Sequence, residues 1–450
     1  MTDGIAGLWR RNGRRAAVLL IALVVSIVAA RTISAWWIGR QLGEEVVRLE
    51  KSYGSLNTHD MNQWVPPLEN RARVMRSAAE LTVVDRTKGS WVTHGWSPMM
   101  ICLSGGDCPA AATGAMRQFV EQNRLAVYVA TQGRTLPRAA WGVQYFRADT
   151  TRIPSGVFDL NMLLAAACRV ELEDGHLDRA VEVALTGLAQ ASSMRNEWRR
   201  PMQVWRMLAV EQQAGCVQQM LQRAEPSAQA LSDLAAALAD SRWPDPTRMW
   251  LMGELKIANA WFMELERGSV VDYPSSEGSA GPINWLLRPL VSHRRLDDLR
   301  AFDRLIQLQA VAPYQRDTAR MRLPGRSPEE DRKARDWPLL RSPVLRALRA
   351  TFITPYLSDG IDTGWEFHSV LNMAETAVAL RRYRLDRGSY ADALSQLVPQ
   401  YLPWVPLDPF TGRPLEYAQQ ASGFELRAHR AKGNEQWVTE KVLFDWRIAR

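Results

Sequence analysis

The stretch that most constrains this chain is its first apolar run, Ala16 to Ala30 (AAVLLIALVVSIVAA), which carries no charge. A membrane-crossing helix wants roughly 20 such residues. Arg31 interrupts the run, but its stem can snorkel while Ile33, Trp36, Trp37 and Ile38 prolong the apolar surface. Arg10, Arg11, Arg14 and Arg15 stand immediately before it, opposed only by Asp3. A basic cluster of this kind stays on the cytoplasmic side, so the helix is expected to run outward from its N-terminus. Trp36 and Trp37 then fall at the outer interface, and Arg14 and Arg15 at the inner one. A cleaved signal peptide ending at Val28-Ala29-Ala30 is the competing reading. A retained anchor is preferred, because the Trp pair and more helix-permitting sequence follow without a break.

The net charge of +8 belongs to topology. Residues 1–40 hold six Arg and one Asp, which is +5 of the total and leaves +3 for everything after them. That remainder argues for no nucleic-acid surface. The chain has 450 residues, 46% of them hydrophobic and 23% charged, so it can bury substantial cores.

The expected organisation has six parts. They are a cytoplasmic basic tail (1–15), a transmembrane helix (16–38), a mainly helical exported segment with a disulfide loop (39–156), a helical hairpin domain (157–312), a connector rich in Pro and Arg (313–363), and a small α+β module (364–450). The fold class is therefore mainly α. Gln41 to Lys51 is expected to prolong the membrane helix as a stalk, broken at Trp64-Val65-Pro66-Pro67. Leu68 to Leu81 and Thr113 to Ala130 read as helices, with irregular chain between and after them. In an oxidising compartment the four cysteines are compatible with disulfides. Cys102 and Cys108 bracket CLSGGDC, whose Gly105-Gly106 supplies a tight turn, so they are the preferred pair. A zinc site using His94 with these two cysteines lacks a second pair at metal-binding spacing. Cys168 and Cys216 are left open between a bond and buried thiols.

Asn161 to Ser193 reads as two helices joined at Glu173-Asp174-Gly175. Small residues at Ala167, Cys168, Ala180, Ala184 and Gly187 allow close helix approach. Gly175 with Ala180 resembles the middle of a tetratricopeptide repeat, but no second copy follows at a spacing of ~34 residues. Met202 to Arg223 and Ser227 to Asp240 form a further helical pair, with Ser227 as N-cap. Thr247 to Arg267 is a long helix after Trp243-Pro244-Asp245-Pro246. Gly268 to Pro282 has linker composition, and Arg294 to Val311 is helical. In the last module, Gly364 to Leu385 carries an apolar stripe (Phe367, Val370, Leu371, Ala374, Ala377, Val378) and ends at Gly388. Leu415 to Ala418 and Phe424 to Ala428 are expected as a hairpin, with Val442 to Trp446 as a third strand.

Tyr383, Asp386, Gly388, Tyr390, Leu394, Leu397, Tyr401, Asp408, Pro409, Phe410, Gly412, Pro414 and Tyr417 together resemble a known pattern. It is that of the segment after the long helix in the major pseudopilin of type II secretion. There a helix ends in Tyr-x-x-Asp-x-Gly-x-Tyr, followed by a short helix, an Asp-Pro-aromatic turn and a Gly-x-Pro-x-x-Tyr strand. The whole chain is similar to uncharacterised bacterial proteins that join one membrane helix, a helical middle and such a tail. The resemblance spans about 60 residues and departs from the family in three ways. More than 300 residues separate the module from the membrane helix, and no prepilin-peptidase site precedes Ala16. The loop that would bind calcium, His429 to Trp437, has Glu435 as its only acid, so calcium is not expected.

Catalytic signatures are few. The chain has no Walker or dinucleotide loop, no His-Glu-x-x-His, no Gly-x-Ser-x-Gly and no Cys-x-x-Cys-His. Its histidines (59, 94, 176, 293, 368 and 429) are scattered singly. Glu173, Asp174, His176 and Asp178 cluster at a repeat turn, where polar residues are ordinary. Asp359 and Asp362 could act as a carboxylate pair, though a solvated turn before Gly364 explains them more simply. Trp198 and Trp205, and Trp243 and Trp250, are seven apart, which is helical spacing suited to a core; a Trp-lined glycan groove is the sharper alternative. No cofactor or metal is expected. The resulting expectation is a non-catalytic scaffold or accessory subunit of an envelope complex. It would sit in the bacterial inner membrane with its bulk periplasmic, touching lipid through the first helix and protein partners through the rest. The rival is a periplasmic hydrolase or glycan-processing protein using Asp359, Asp362 or His94.

Overall fold

The computed structural model describes residues 2–84, 102–103, 108, 110–143, 145, 154, 156–267, 282–315, 356–421, 423–428 and 444–449 (for 2–16, 111, 265, 267, 282–288, 356–359, 444, 445, 447 and 449 the backbone alone). The chain is mainly helical, with one N-terminal apolar helix and a small C-terminal sheet. Helix α1 spans Thr2–Tyr53 without interruption. It takes in the expected basic tail, membrane segment and stalk as one rod of roughly 80 Å at 1.5 Å per residue. The stalk ends sooner than the Trp64–Pro67 break. Gly54 adopts φ +79° and donates its N–H to Glu50 O at 2.9 Å, a left-handed stop that residues with a Cβ rarely make. A 3₁₀ turn, Thr58–Met61, follows, capped by Asn57 and burying Met61.

Asn70 caps α2 (Arg71–Leu81) and exchanges hydrogen bonds with the Ala140 backbone in both directions. The expected single helix from Thr113 to Ala130 is two, α3 (Ala110–Gln122) and α4 (Arg124–Gly133). The break is at buried Asn123. Its amide accepts from Val83 N at 2.7 Å and donates to Val83 O and Phe119 O, so a side chain takes over from the helical ladder.

The hairpin helices α5 (Val157–Glu173) and α6 (Leu177–Ser193) turn at Gly175, φ +77°. Helix α7 (Arg200–Arg223) packs on both, and α8 (Ala228–Arg242) follows, with Ser227 Oγ accepting from Ala230 N. Helices α9 (Pro246–Arg267) and α10 (Pro282–Gln309) form a second hairpin. Helix α10 starts twelve residues before the expected Arg294, and residues 268–281 of the expected linker lie outside the described residues. Helix α11 (Tyr356–Arg387) also begins early, so Asp359 and Asp362 belong to a helix and not to a solvated turn. Ile361 explains this: it is buried beside Trp250, and that contact is available only if the helix continues toward the N-terminus. Of the connector, only Pro313–Gln315 and the first turns of α11 are described.

Strands β1 (Glu416–Gln420), β2 (Gly423–Ala428) and β3 (Phe444–Ala449) form an antiparallel sheet in that order. Tyr417 pairs with Leu426, Leu426 with Trp446 and Phe424 with Ile448. The buried side chains fall into two cores. The larger runs from Met61 through Leu160, Val210 and Leu371 to Phe424 and Ile448. It crosses the boundaries expected at 156/157 and 363/364, because α11 lays its stripe on α7 and α8 and not on its own sheet alone. The smaller joins Leu42, Leu49 and Leu56 of the α1 region to Trp250, Leu255, Leu299, Phe302, Leu305 and Ile361.

Candidate functional site

The residues that carry the pseudopilin resemblance hold the module together. Gly388 takes φ +80° and closes α11 through its N–H to Arg384 O. Tyr401 donates to Asp386 Oδ2 at 2.7 Å and packs edge-on to Tyr383. Tyr390 and Tyr417 flank Phe424, and the Tyr417 hydroxyl donates to Ala391 O; burial pushes that phenol up to about 12. Asp408 is buried and organises a turn. Its Oδ1 accepts from Phe410 N, its carbonyl accepts from Thr411 N and Gly412 N, and its N–H donates to Arg413 O. Leu407 and Pro414 bridge across that turn, Pro409 O accepts from Tyr314 N, and the Tyr314 ring lies where a Cβ on Gly412 would be. These side chains do packing work, and none of them lines the cleft described below.

The sequence candidates disperse. Asp359 and Asp362 lie three apart in the first turns of α11, and the side chain of Asp359 is outside the described residues. His94 and the expected calcium loop lie outside the described residues. His176 lies 2.9 Å from Glu171 on the exposed hairpin turn, and Arg117 reaches both Glu173 and Asp174, so this cluster is a set of surface ion pairs. Trp250 is core, Trp198 lies under Lys256 at 4.8 Å, and Trp243 is exposed, so the spaced tryptophans line no common groove. Cys102 and Cys108 are joined, with Cα atoms 4.8 Å apart. Cys168 and Cys216 are buried free thiols, and a hydrogen bond with Cys216 together with burial pushes Cys168 well up.

Two buried polar centres escaped the sequence reading. In the first, Asp245 is the N-cap of α9, accepting from Arg248 N at 2.7 Å, and its other oxygen lies 2.7 Å from His368 Nε2 on α11. Burial pushes its carboxyl up, but His368, the Arg248 N–H and the Arg206 charge outweigh that and hold it below the usual range. Arg206 is fully buried on α7 and donates to Pro244 O and Ser241 O; burial lowers it to about 10. Three helices thus meet at one carboxylate. In the second, Glu197 accepts from Trp141 N and from the Tyr145 hydroxyl, and burial pushes both acids up. A His–Asp pair can relay a proton, but among the described residues no nucleophile is bonded to this imidazole, and the pair lies between helices.

A cleft of about 480 Å³ is lined by Gln63, Val65, Arg71, Arg138, Ser192 and Arg195, among others. Its cations are occupied. Arg71 donates to Leu136 O and Ala189 O, Arg195 pairs with Asp240 at 2.7 Å, and Arg138 lies 3.4 Å from Glu69. Ser192 donates to Asp240, with no imidazole in the lining to take its proton. Among the described residues, no group of three His, Cys, Asp or Glu could hold a metal ion.

Comparison with family models, with curated proteins and with solved structures finds no match.

Proposed function

We propose that the chain is a single-pass membrane-anchored scaffold or accessory subunit of an envelope assembly. Its N-terminus lies in the cytoplasm of a bacterium, its bulk in the periplasm, and it does no chemistry of its own. One observation carries this reading: α1 serves as both span and structural member. Val18 to Val28 expose 42–70% of their apolar surface with nothing packed on them, as lipid-facing side chains do. Fourteen residues further on, at Leu42, the same unbroken helix is fastened to α10. Leu42 and Leu49 are buried in the second core, while Arg48 and Tyr53 both reach Asp303, at 2.7 and 2.6 Å. Bonds to Glu45 and Asp303 raise Arg48, and burial together with the Asp303 bond pushes Tyr53 up to about 12. A rod so fixed holds the body in a set attitude to the bilayer, which suits a subunit that must present surfaces to neighbours. The module supports the same reading. Its resemblance to a pseudopilin lies in residues that build a compact cap, and the acidic calcium loop of that family is replaced by HRAKGNEQW.

The test is extraction from native membranes in mild detergent, with sizing and mass spectrometry of what co-elutes. A stoichiometric envelope partner is the expected result. A lone monomer that degrades cell-wall glycan would establish the hydrolase instead, and release by alkaline carbonate would rule out the anchor.

A further inference from the structure

The cleft beside α2 and α6 combines surplus positive charge with unused hydrogen-bond donors. Among the described residues its lining has Arg71, Arg138 and Arg195 and no Asp or Glu. Arg138 is offset by Glu69, outside the lining and 3.4 Å away. Arg71 and Arg195 share a single acid. Asp240, also outside the lining, pairs with Arg195 at 2.7 Å and reaches Arg71 only through space. Among the described residues, every bond Arg71 makes goes to a neutral carbonyl, Leu136 O or Ala189 O. Burial lowers Arg71, the Arg195 charge lowers it further, and Asp240 opposes them. Arg206 stands behind the wall, donating to Pro244 O, and feels the same Arg195 charge. The fold therefore gathers like charges around a space of about 480 Å³, an arrangement that an anion would relieve.

Donors remain to receive one. A guanidinium carries five N–H groups. Arg71 commits three and Arg195 one, which leaves two and four. The Gln63 and Asn196 amides, also in the lining, make no hydrogen bond among the described residues. Val65 and Pro244 add an apolar wall. The guanidinium fork matches a carboxylate, and the wall suits the methylenes that carry it, as in a glutamate side chain. Inorganic phosphate would use the fork and not the wall.

We infer that this cleft docks an acidic peptide segment of an envelope partner, with a Glu or Asp carboxylate seated between Arg71 and Arg195. The inference deepens the scaffold reading and rests on it.

Binding of a fluorescein-labelled tetraglutamate peptide to the detergent-solubilised full chain is followed by anisotropy, with unlabelled tetraglutamate, tetraglutamine and inorganic phosphate as competitors. Arg195→Gln removes the fork with the most unused donors. Gln63→Glu places a like charge in the lining from an exposed residue, so the arginine bonds stay intact. Arg124→Gln removes the same charge from a surface pair on α4 that is not part of the lining. Arg195→Gln and Gln63→Glu should each weaken tetraglutamate binding about tenfold or more, the loss expected for one charge-assisted bond, and Arg124→Gln should leave it unchanged. Equal weakening by all three overturns the cleft, since binding would then follow net charge. Phosphate or tetraglutamine that competes as well as unlabelled tetraglutamate overturns the acidic peptide. An envelope partner that co-elutes equally with wild type and with both cleft variants overturns the inference and keeps the scaffold. No partner with wild type removes the scaffold reading and the inference with it.

Discussion

Asp245 gives the sharpest test of how this fold is held, because three independent consequences follow from one carboxylate. Replacing it with Ala removes the cap of α9, leaving Arg248 N–H without its 2.7 Å acceptor, a loss of about 1 kcal/mol. It also leaves His368 without its partner in a half-closed seam, worth about 1.5–3 kcal/mol for a charge-assisted bond. Together Asp245→Ala should cost about 2.5–4 kcal/mol. Asp245→Asn separates the two effects: Asn caps as well as Asp, so only the His368 contribution should be lost, about 2 kcal/mol. His368→Ala should cost a similar amount, and the Asp245→Ala, His368→Ala double variant should fall short of additivity by about 2 kcal/mol. The assay is urea unfolding of the detergent-solubilised full chain, followed by tryptophan fluorescence at pH 7. Acid gives an independent check. The folded carboxyl is held below its ordinary value, so its contribution is present above about pH 4 and disappears as pH falls through the depressed value. The gap between wild type and Asp245→Asn should therefore shrink between pH 4 and pH 2. A wild-type midpoint for Asp245→Asn, or additive single variants, would refute the claim that this pair ties α9 to α11.

Asp298 has the opposite sign. Burial raises it to about 7 despite Arg294 at 3.1 Å, with Asp297 adding to the rise, so its favourable contribution is complete below about pH 4 and lost as pH climbs to 7. At about 1.4 kcal/mol per pKa unit the decline is on the order of 4 kcal/mol, and Asp298→Asn should flatten it in unfolding curves taken from pH 4 to 8. Gly253→Ala places a Cβ 2.0 Å from Trp198 O and should cost about 3 kcal/mol in thermal or urea unfolding. Gly43→Ala on α1, where nothing lies within 4 Å, should be neutral or gain about 0.5–1 kcal/mol. Alkylation before and after reduction should find Cys168 and Cys216 blocked until unfolding and Cys102 and Cys108 reactive only after reductant. Breaking that short ring should cost about 2 kcal/mol.

Much of the helical order is written locally. The apolar run, the α5–α6 turn at Gly175, the Ser227 cap and the Gly388 stop each depend on a few neighbouring residues. What the sequence hides is decided by contacts distant along the chain. SDGIDTG has the composition of a turn, yet it is helical because Ile361 enters a core. Gly360 and Gly364 let Trp250 and Thr247 come closer than a Cβ would permit. Asn123 breaks a helix only because Val83 presents both its N–H and its C=O. Asp245 and His368 are 123 residues apart and share no periodicity, so neither signals the other.

These hidden contacts have one physical outcome in common. Helix α11 begins in the second core at Ile361 and continues into the first at Leu371, with His368 bonded to Asp245 between the two. The second core is the one that fastens α1, and the first is the one that contains the sheet. Helix α7 makes the same passage from its N-terminal end, where Arg200 lies over Trp250 and Arg206 reaches the turn before α9. Anchored hairpin and terminal sheet are therefore joined by two continuous helices and a buried charge cluster. A flexible tether between them would leave the sheet free to sample every orientation relative to α1. Two shared helices fix it relative to α1, so any partner that binds the sheet meets it in one attitude.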